Sequence, residues 1–408
     1  DLAVGTSRDV AFTYTATDDD GAVSAEQTVT ITVTGSNDAL TAVSGSVTTD
    51  ENTTLNGNVP AASDIDGTIV GYALGTTVTE GSLTFNSDGS YSFDPGTDFD
   101  DLAVGASRDV TFIYTATDND GATSAEQTVT IKVTGTNDAP VAASDSVTTD
   151  ENAILSGIAP RASDIDGTIV SYALGTTVAE GNLTFNSDGS YSFDPGADFD
   201  ALAVGASREV TFSYTATDND GAVSAEQTVT ITVTGNNDAP EITGGPVSVT
   251  LNETNTGLTS SGSFEVTDID VGDRITVSVN SIVIDGNSDR AHPAAPNDAD
   301  LRAMLTVSPD APLNGSSTTA SLSWNFDSAS EAFNYLAAGE TLELTYTVRV
   351  EDSQGAMADE IITITVTGTN DAPTISTLPN DIFYERGTAT VPLNDLVIAD
   401  VDGAESIT

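Results

Sequence analysis

Cysteine is absent from this sequence, and histidine occurs only once. Without cysteine the chain has no disulfides and no thiolate metal site, so small domains outside the cell would need another kind of cross-link. Nucleophilic catalysis is also poorly served, because the chain has neither a thiol nor a Gly-x-Ser-x-Gly motif. We therefore predict that the protein is not an enzyme.

Basic residues are scarce as well. Lys and Arg number 10 against 63 Asp and Glu, which gives a formal charge of −53 over 408 residues. Nucleic acid and anionic membrane surfaces would repel such a chain, so divalent cations are the expected partners. No apolar run is long enough to cross a bilayer, and we expect no membrane insertion of this segment.

A short polar phrase recurs along the chain. It reads GTNDAP at 135–140, GSNDAL at 35–40, GNNDAP at 235–240 and GTNDAP again at 368–373. The first three copies are 100 residues apart, and a fixed period of this size is typical of a tandem array of domains.

The repeat divides the sequence into units. We predict β-sandwich repeats over 41–140 (unit 1) and 141–240 (unit 2), and a longer, diverged repeat with an insertion over 241–373 (unit 3). Residues 1–40 match the C-terminal part of such a repeat, and 374–408 the N-terminal part of a further one. We therefore expect the chain to be a piece of a longer array.

Hydrophobic periodicity indicates the fold of each unit. In 108–117, Val110, Phe112, Tyr114 and Ala116 alternate with polar residues and fall on one strand face. Residues 83–93 are typical of two short strands around a Ser-Asp-Gly turn. Short strands with frequent turns, in units of about 100 residues, predict an all-β array of immunoglobulin-like Greek-key sandwiches. Helix should be limited to a turn near 98–105.

Oxygen-bearing side chains occur at three separated places near the boundary after unit 1. These are Asn137 and Asp138, then Glu151, then the pair Asp164 and Asp166, which we expect to converge. Calcium takes roughly six to eight oxygen ligands from carboxylates, Asn carbonyls and backbone carbonyls. Asp-x-Asp in extended backbone places both carboxylates on one face. Turn chemistry alone does not explain this pattern, so we predict a calcium site at the boundary.

The loop at 115–122 adds Asp118 and Asp120. Which boundary it approaches depends on strand direction, and a solvated Asp-Asn-Gly turn is the alternative to a calcium ligand. An EF-hand at 17–27 is excluded, because Gln27 stands where the bidentate glutamate belongs.

These motifs resemble bacterial cadherin-like and VCBS-type repeats, which form tandem arrays in large secreted adhesins of the RTX type. The resemblance is carried by VTGTNDAP (133–140), the preceding YTATDNDG, and the DEN and DIDG motifs that follow. It implies that linker, glutamate and paired aspartates bind calcium at every boundary. The ligands so implied in the other copies are Asp18, Asp20, Asn37, Asp38, Glu51, Asp64, Asp66, Asp218, Asp220, Asn237, Asp238, Glu253, Asp268, Asp270, Asp352, Asn370, Asp371, Glu385, Asp400 and Asp402.

The match has departures. Leu40 replaces the linker proline, and Gln354 stands where the other copies have Asp20, Asp120 and Asp220. The linkers are also less acidic than a full cadherin linker. These differences leave the number of ions per boundary open.

The resemblance implies an extracellular, calcium-stiffened spacer of a cell-surface or secreted adhesin that supports adhesion or biofilm formation. Its partners would be calcium ions, neighbouring repeats, and glycans or other adhesin molecules. The alternative is a set of modules that bind carbohydrate or associate with themselves. The insertion, placed at 280–327, contains the single tryptophan, Trp324. Because SLSWNF alternates, we expect Trp324 in the core and not exposed for sugar binding.

Overall fold

Paired β-strands make up nearly all of the regular structure in this computed structural model, which describes residues 2–377 and 397–400. The predicted ligands Glu385 and Asp402 lie outside the described residues. In the described part of the chain, no helix is long and apolar enough to span a membrane. The all-β prediction is confirmed.

Unit 1 contains two sheets. The strands up to its end are β1 (Ser7–Tyr14), β2 (Gln27–Thr34), β3 (Gly45–Asp50), β4 (Leu55–Asn58), β5 (Ile69–Thr76), β6 (Ser82–Phe85), β7 (Ser90–Asp94), β8 (Ser107–Asp118) and β9 (Gln127–Thr134). One sheet has the order β3-β9-β8-β5 and the other β4-β7-β6, while β1 and β2 form a hairpin. The chain crosses between the sheets after β3, β4, β5 and β7, whereas β6–β7 and β8–β9 pair as hairpins, which is the predicted Greek-key arrangement.

Unit 2 repeats this topology. Its elements are β10 (Asp145–Asp150), β11 (Leu155–Ile158), β12 (Ile169–Leu174), β13 (Asn182–Phe185), β14 (Ser190–Asp194), a 3₁₀ turn (Gly196–Asp198), β15 (Ser207–Asp218) and β16 (Gln227–Thr234). The sheets have the orders β10-β16-β15-β12 and β11-β14-β13.

The core of unit 1 lies between its sheets and follows the alternation in the sequence. Val110, Phe112, Tyr114 and Ala116 of β8 are all buried, as predicted. The Tyr114 hydroxyl donates a hydrogen bond to the Val43 carbonyl at 2.7 Å, which ties β8 to the segment before β3. Burial of these apolar and aromatic side chains stabilises the domain.

Unit 3 has longer strands. Its elements, and those that follow it, are β17 (Glu241–Thr243), β18 (Val247–Asn252), β19 (Thr259–Thr267), β20 (Thr276–Gly286), α1 (Asp298–Ala303), β21 (Leu305–Ser308), β22 (Thr319–Asp327), β23 (Thr341–Glu351), β24 (Met357–Thr367), β25 (Thr374–Thr377) and β26 (Val397–Ala399). The sheets of unit 3 have the orders β17-β19-β22-β21 and β18-β24-β23-β20, and β25 pairs with β26.

The insertion is narrower than predicted. Strands β20, β21 and β22 occupy the topological places of β5, β6 and β7, so much of 280–327 has a counterpart in unit 1. The additional residues lie mainly in the connections 287–304 and 309–318. The residues added in these connections hid the correspondence, because they interrupt the 100-residue period of the sequence.

Helix occurs in places that the sequence analysis did not anticipate. The predicted turn near 98–105 forms no helix in unit 1, while its counterpart in unit 2 contains the 3₁₀ turn. The helix α1 lies in the first added connection of unit 3. Asn297 caps it by accepting hydrogen bonds from the backbone N–H groups of Ala299 and Asp300, and Leu301 anchors it in the core.

Candidate metal centres at the unit junctions

Each junction is built around the Asn-Asp pair of the repeated phrase, and we name it after that pair. The glutamate of the preceding unit reaches this linker because β3 pairs in parallel with β9, with Asp50 opposite Thr134. Glu51 therefore follows β3 at the same end at which β9 leaves the unit. Its Oε1 accepts hydrogen bonds from the Thr136 backbone N–H at 2.7 Å and hydroxyl at 2.9 Å.

This geometry corrects the predicted grouping. Glu151 does not converge with Asp164 and Asp166, because the same parallel pairing carries it to the far end of unit 2. There its Oε1 accepts a hydrogen bond from the backbone N–H of Asn236 at 2.7 Å. Glu51 takes the predicted place of Glu151 at the 137–138 junction.

The Asp-x-Asp pair belongs to the unit that follows the linker. The backbone N–H of Asp38 donates to Asp66 at 3.2 Å, and that of Asp238 donates to Asp270 at 2.9 Å. The equivalent contact from Asp138 is 3.4 Å. The linker and the Asp-x-Asp loop are thus brought together as predicted.

The loop between the last two long strands lies at the junction before its own unit. Asn37 donates its Nδ2 hydrogen to Asp118 at 3.0 Å, although 81 residues separate them. Asn137 makes the same bond to Asp218 at 2.9 Å, and Asn237 to Asp352 at 2.8 Å. The three aspartates are buried. Strand direction, which the sequence left open, is therefore such that these carboxylates face the preceding linker.

The second aspartate of this loop is placed differently. Asp120 and Asp220 are exposed and accept hydrogen bonds from the side chains of the neighbouring Asn119 and Asn219. In the hairpin before unit 1, Asp18 Oδ1 accepts hydrogen bonds from two backbone N–H groups of its own turn, including that of Asp20. These contacts are those of a solvated Asx turn, the alternative considered for this loop.

At the 370–371 junction, Glu253 repeats the contact of Glu51. Its Oε1 accepts hydrogen bonds from the Thr369 backbone N–H at 2.7 Å and hydroxyl at 3.1 Å. Asn370 donates to the carbonyl of Asp371 at 3.2 Å. Asp400 lies directly after β26.

The 237–238 junction concentrates the most carboxylates. One ligand oxygen each from Glu151, Asp238 and Asp270 lie within 4.8 Å of one another, and the same holds for Asp268, Asp270 and Asp273. The first group joins unit 2, the linker and unit 3, and the second belongs to unit 3. Asp270 is common to both, so the two groups adjoin.

Buried oxygens without hydrogen-bond donors face these junctions. A buried polar atom normally has a partner, and leaving it without one is costly. Among the described residues, the side-chain oxygens with no hydrogen bond at these places are Glu51 Oε2, Asn137 Oδ1, Asp164 Oδ2 and Asp166 Oδ2 at the 137–138 junction, and Glu151 Oε2, Asn237 Oδ1, Asp268 Oδ2, Asp270 Oδ1 and Asp273 Oδ2 at the 237–238 junction. Acceptor atoms in this arrangement fit a hard cation.

Burial and mutual repulsion raise the pKa of several of these acids. Burial raises the pKa of Asp268 to about 6, and the nearby charges of Asp273, Asp270 and Asp352 act in the same direction. Burial also raises the pKa of Asp138, with a further contribution from Asp100, Glu51 and Asp164.

The hydrogen bonds of the loop aspartates act in the opposite direction. The Asn37 amide, followed by backbone N–H groups, lowers the pKa of Asp118. For Asp218, burial opposes the shift, but the bonds from Asn137 and the backbone outweigh it and the pKa is lowered.

The sequence analysis missed two positions of the repeat. The first, in the segment expected to form a helical turn, is Asp100 in unit 1 and Asp200 in unit 2. The negative charge of Asp100 contributes to the raised pKa of Asp138, and Asp200 lines an open cavity of about 450 Å³ with Asp238 and Asp268. The second position is Asp273. The recurrence of Asp-Phe-Asp at 98–100 and 198–200 was the available signal for the first, whereas Asp273 has no counterpart in units 1 and 2.

The raised pKa values predict an unusual pH dependence for the metal-free protein. Between about pH 4 and pH 6, folded Asp268 holds more protons than the unfolded chain, so acidification over this range stabilises the fold. We expect the urea midpoint in chelator to be higher at pH 5 than at pH 7. With saturating calcium the trend should reverse, because protons then compete with the ion. A chelated midpoint that falls steadily from pH 7 to pH 5 would contradict this assignment.

The described units define a class of protein, namely tandem Greek-key β-sandwiches joined end to end by acidic linkers. Comparison with a family model gives the more specific identification. Residues 37–135 and 137–235 each match the bacterial cadherin-like domain, so the chain contains two bacterial cadherin-like domains in tandem. No curated protein sequence matches the chain.

Solved structures of cadherin extracellular domains are similar to this chain. The extracellular domain of protocadherin gamma B4 has a TM-score of 0.50 and 15% identity, covering 97% of this chain and 62% of that one. Extracellular cadherin domains 1–5 of protocadherin gamma B2 have a TM-score of 0.44 and 15% identity, covering 90% and 67%. Drosophila N-cadherin EC1–4 has a TM-score of 0.33 and 17% identity, covering 82% and 76%. At 15% identity, the similarity to the protocadherin gamma B4 domain supports the fold alone.

Proposed function

We propose that the chain is a calcium-stiffened structural spacer of a cell-surface or secreted adhesin. One observation carries the proposal. At the 237–238 junction, Glu151 of one unit, Asp238 of the linker and Asp270 of the next unit place ligand oxygens within 4.8 Å of one another. An ion held by all three would fix the two units and the linker relative to one another.

The mechanism is electrostatic. Without an ion, the converging carboxylates repel one another, and their burial reduces screening by water. The linker then acts as a hinge. Glu151, Asp238 and Asp270 would hold a divalent cation, whose charge would offset the repulsion between them and satisfy the buried oxygens that have no donor. The junction would then be braced across both units.

Calcium is the cation that this donor set favours. The ligands are carboxylate and amide oxygens, and the chain offers no cysteine and a single histidine, which disfavours zinc and copper. Magnesium demands near-octahedral geometry and gives up its waters reluctantly, whereas calcium accepts the irregular arrangement of a linker between domains. Extracellular calcium modules of this kind bind at roughly 10⁻⁴–10⁻³ M, which suits a location outside the cell.

The same features favour a structural role over catalysis or sugar binding. The acidic clusters recur at successive junctions, and a reaction centre would be expected once, in a cleft. Trp324, the residue best suited to stack on a sugar, is 3% exposed and packs in the core of unit 3, as expected from its alternating strand. Support for adhesion or biofilm formation by the whole protein follows from the family and is part of this proposal.

Calorimetric titration of the full chain tests the metal assignment. We expect calcium to bind with dissociation constants in the range of roughly 10⁻⁴–10⁻³ M or tighter, and magnesium at equal concentration to bind much more weakly. The heats should vanish when the chain is unfolded in urea, because the sites are assembled from distant segments. Equal binding of magnesium and calcium, or no binding of either, would refute the metal assignment.

A further inference from the structure

The 237–238 junction contains one buried carboxylate that the 137–138 junction lacks. In unit 1 the Asp-x-Asp loop continues with Gly-Thr, and Asn119 Oδ1 accepts a hydrogen bond from the threonine N–H at 2.6 Å. The counterpart in unit 2 makes the same bond at 2.7 Å. In unit 3 the loop contains Asp273, and Ser353 stands at the position of the asparagine. A neutral amide cap is thus replaced by an acid.

Neighbouring side chains hold Asp273 in place. Its Oδ1 accepts hydrogen bonds from the Ser353 hydroxyl at 3.3 Å and from Gln354 Nε2 at 3.1 Å. Its Oδ2 is buried and has no hydrogen bond within the described part of the chain, and the residue is 5% exposed. Gln354 departs from the acidic pattern of the other copies, and its contact gives a physical reason for the departure. Its amide fixes one oxygen of Asp273 and leaves the other for a ligand.

The oxygen left free lies in a dense acidic group. Ligand oxygens of Asp268, Asp270 and Asp273 are within 4.8 Å of one another, and each of the three residues is at least nine-tenths buried. Each also has one oxygen that is buried without a hydrogen-bond donor. Asp273 therefore adds a third buried carboxylate, with one oxygen that has no hydrogen-bond donor, to the Asp-x-Asp pair of this junction.

We propose that Asp273 raises the calcium affinity of the 237–238 junction, so that this junction fills at lower calcium concentration than the 137–138 junction. This inference rests on the proposed function, since it concerns the same type of ion at the same type of boundary. It assigns an order of loading: units 2 and 3 become fixed first as calcium rises, and units 1 and 2 later.

Two physical effects produce this order. Calcium affinity rises with the number of charged ligands and with the rigidity of the site, and Asp273 adds a charge on a carboxylate already held by two donors. Repulsion between buried carboxylates is also strongest where most of them are packed together, so an ion relieves more unfavourable energy there. We expect the half-saturating calcium concentrations of the two junctions to differ by about tenfold.

Trp324 allows the order to be measured on the full chain. It is the only tryptophan and lies in unit 3, so its emission reports the thermal unfolding of that unit, while circular dichroism reports all units. Thermal midpoints are measured over a calcium series. We expect the tryptophan midpoint to reach half of its calcium-induced rise at about tenfold lower calcium than the main circular dichroism transition. In Asp273→Asn this early rise should move to higher calcium, whereas the exposed Asp310→Asn should leave it in place.

The outcomes separate this inference from the proposed function. Coincident half-saturation of the two signals in the unmodified chain, or an early rise that persists in Asp273→Asn, would overturn the loading order and leave calcium stiffening intact. No calcium effect on either signal would overturn both. Should Asp273→Asn fail to fold at saturating calcium, as judged by its tryptophan emission, the comparison of the two signals in the unmodified chain still decides.

Discussion

Addition of 10 mM calcium to the chelated chain is expected to raise the thermal midpoint of unfolding by roughly 10–20 °C. An ion that binds only the folded junction stabilises by mass action, about 2.7 kcal/mol per site at a concentration 100 times the dissociation constant. For a domain of about 100 residues, each kcal/mol shifts the midpoint by roughly 4–8 °C. Scanning calorimetry in chelator and in calcium measures this shift directly.

Magnesium chloride at matched ionic strength is the control for this prediction. General screening of the charge of −53 would stabilise the chain equally with either cation. A site built from specific oxygen ligands would instead bind calcium in preference to magnesium. A midpoint that rises by the same amount in magnesium would show that screening, and not site binding, is responsible.

Replacement of Asp270 by asparagine is expected to act on the 237–238 junction in two opposite ways. Asp270 is common to both carboxylate groups there, so calcium affinity at this junction should fall by about 10- to 100-fold. Without metal the variant should be more stable than the unmodified chain, because a buried charge whose pKa is raised by burial and by Asp238 has been removed. The asparagine oxygen can still accept the Asp238 backbone N–H, so the loop is retained.

Asp220→Asn is the matched control for Asp270→Asn. Asp220 was also expected to bind calcium from the sequence, but it is exposed and pairs with Asn219 in a turn. Its replacement should change neither calcium affinity nor metal-free stability by more than a few tenths of a kcal/mol. Comparable effects of the two substitutions would show that exposure does not separate ligands from turn residues here.

The fold was accessible from the sequence because its determinants are local. Alternation along β8 specifies which side chains enter the core, and the Ser-Asp-Gly turn between β6 and β7 specifies a hairpin. Because the sequence repeats every 100 residues, the same local pattern occurs in units 1 and 2, and each copy supports the prediction made from the other. The elements that sequence reasoning missed, α1 and the true extent of the insertion, lie in unit 3, where no second copy exists to compare.

The site was only partly accessible, because its assembly depends on pairings that the sequence does not display. The parallel pairing of β3 with β9 assigns Glu51 to the 137–138 junction, although Glu151 is nearer to it in sequence. Asp118 contacts Asn37, 81 residues away, because strand direction in the sheet brings its loop to the preceding linker. The residue types and the presence of an acidic junction were predictable, whereas the grouping of residues required the sheet topology.

Small-angle X-ray scattering of the full chain during a calcium titration tests the central claim most directly, because stiffening is a statement about the distance between units. The maximum dimension should increase as calcium rises and then level off, and chelator should reverse the change. Magnesium at the same concentration should leave the scattering close to that of the chelated chain. Scattering curves that are identical in chelator and in saturating calcium would contradict the account, even if the ion were shown to bind.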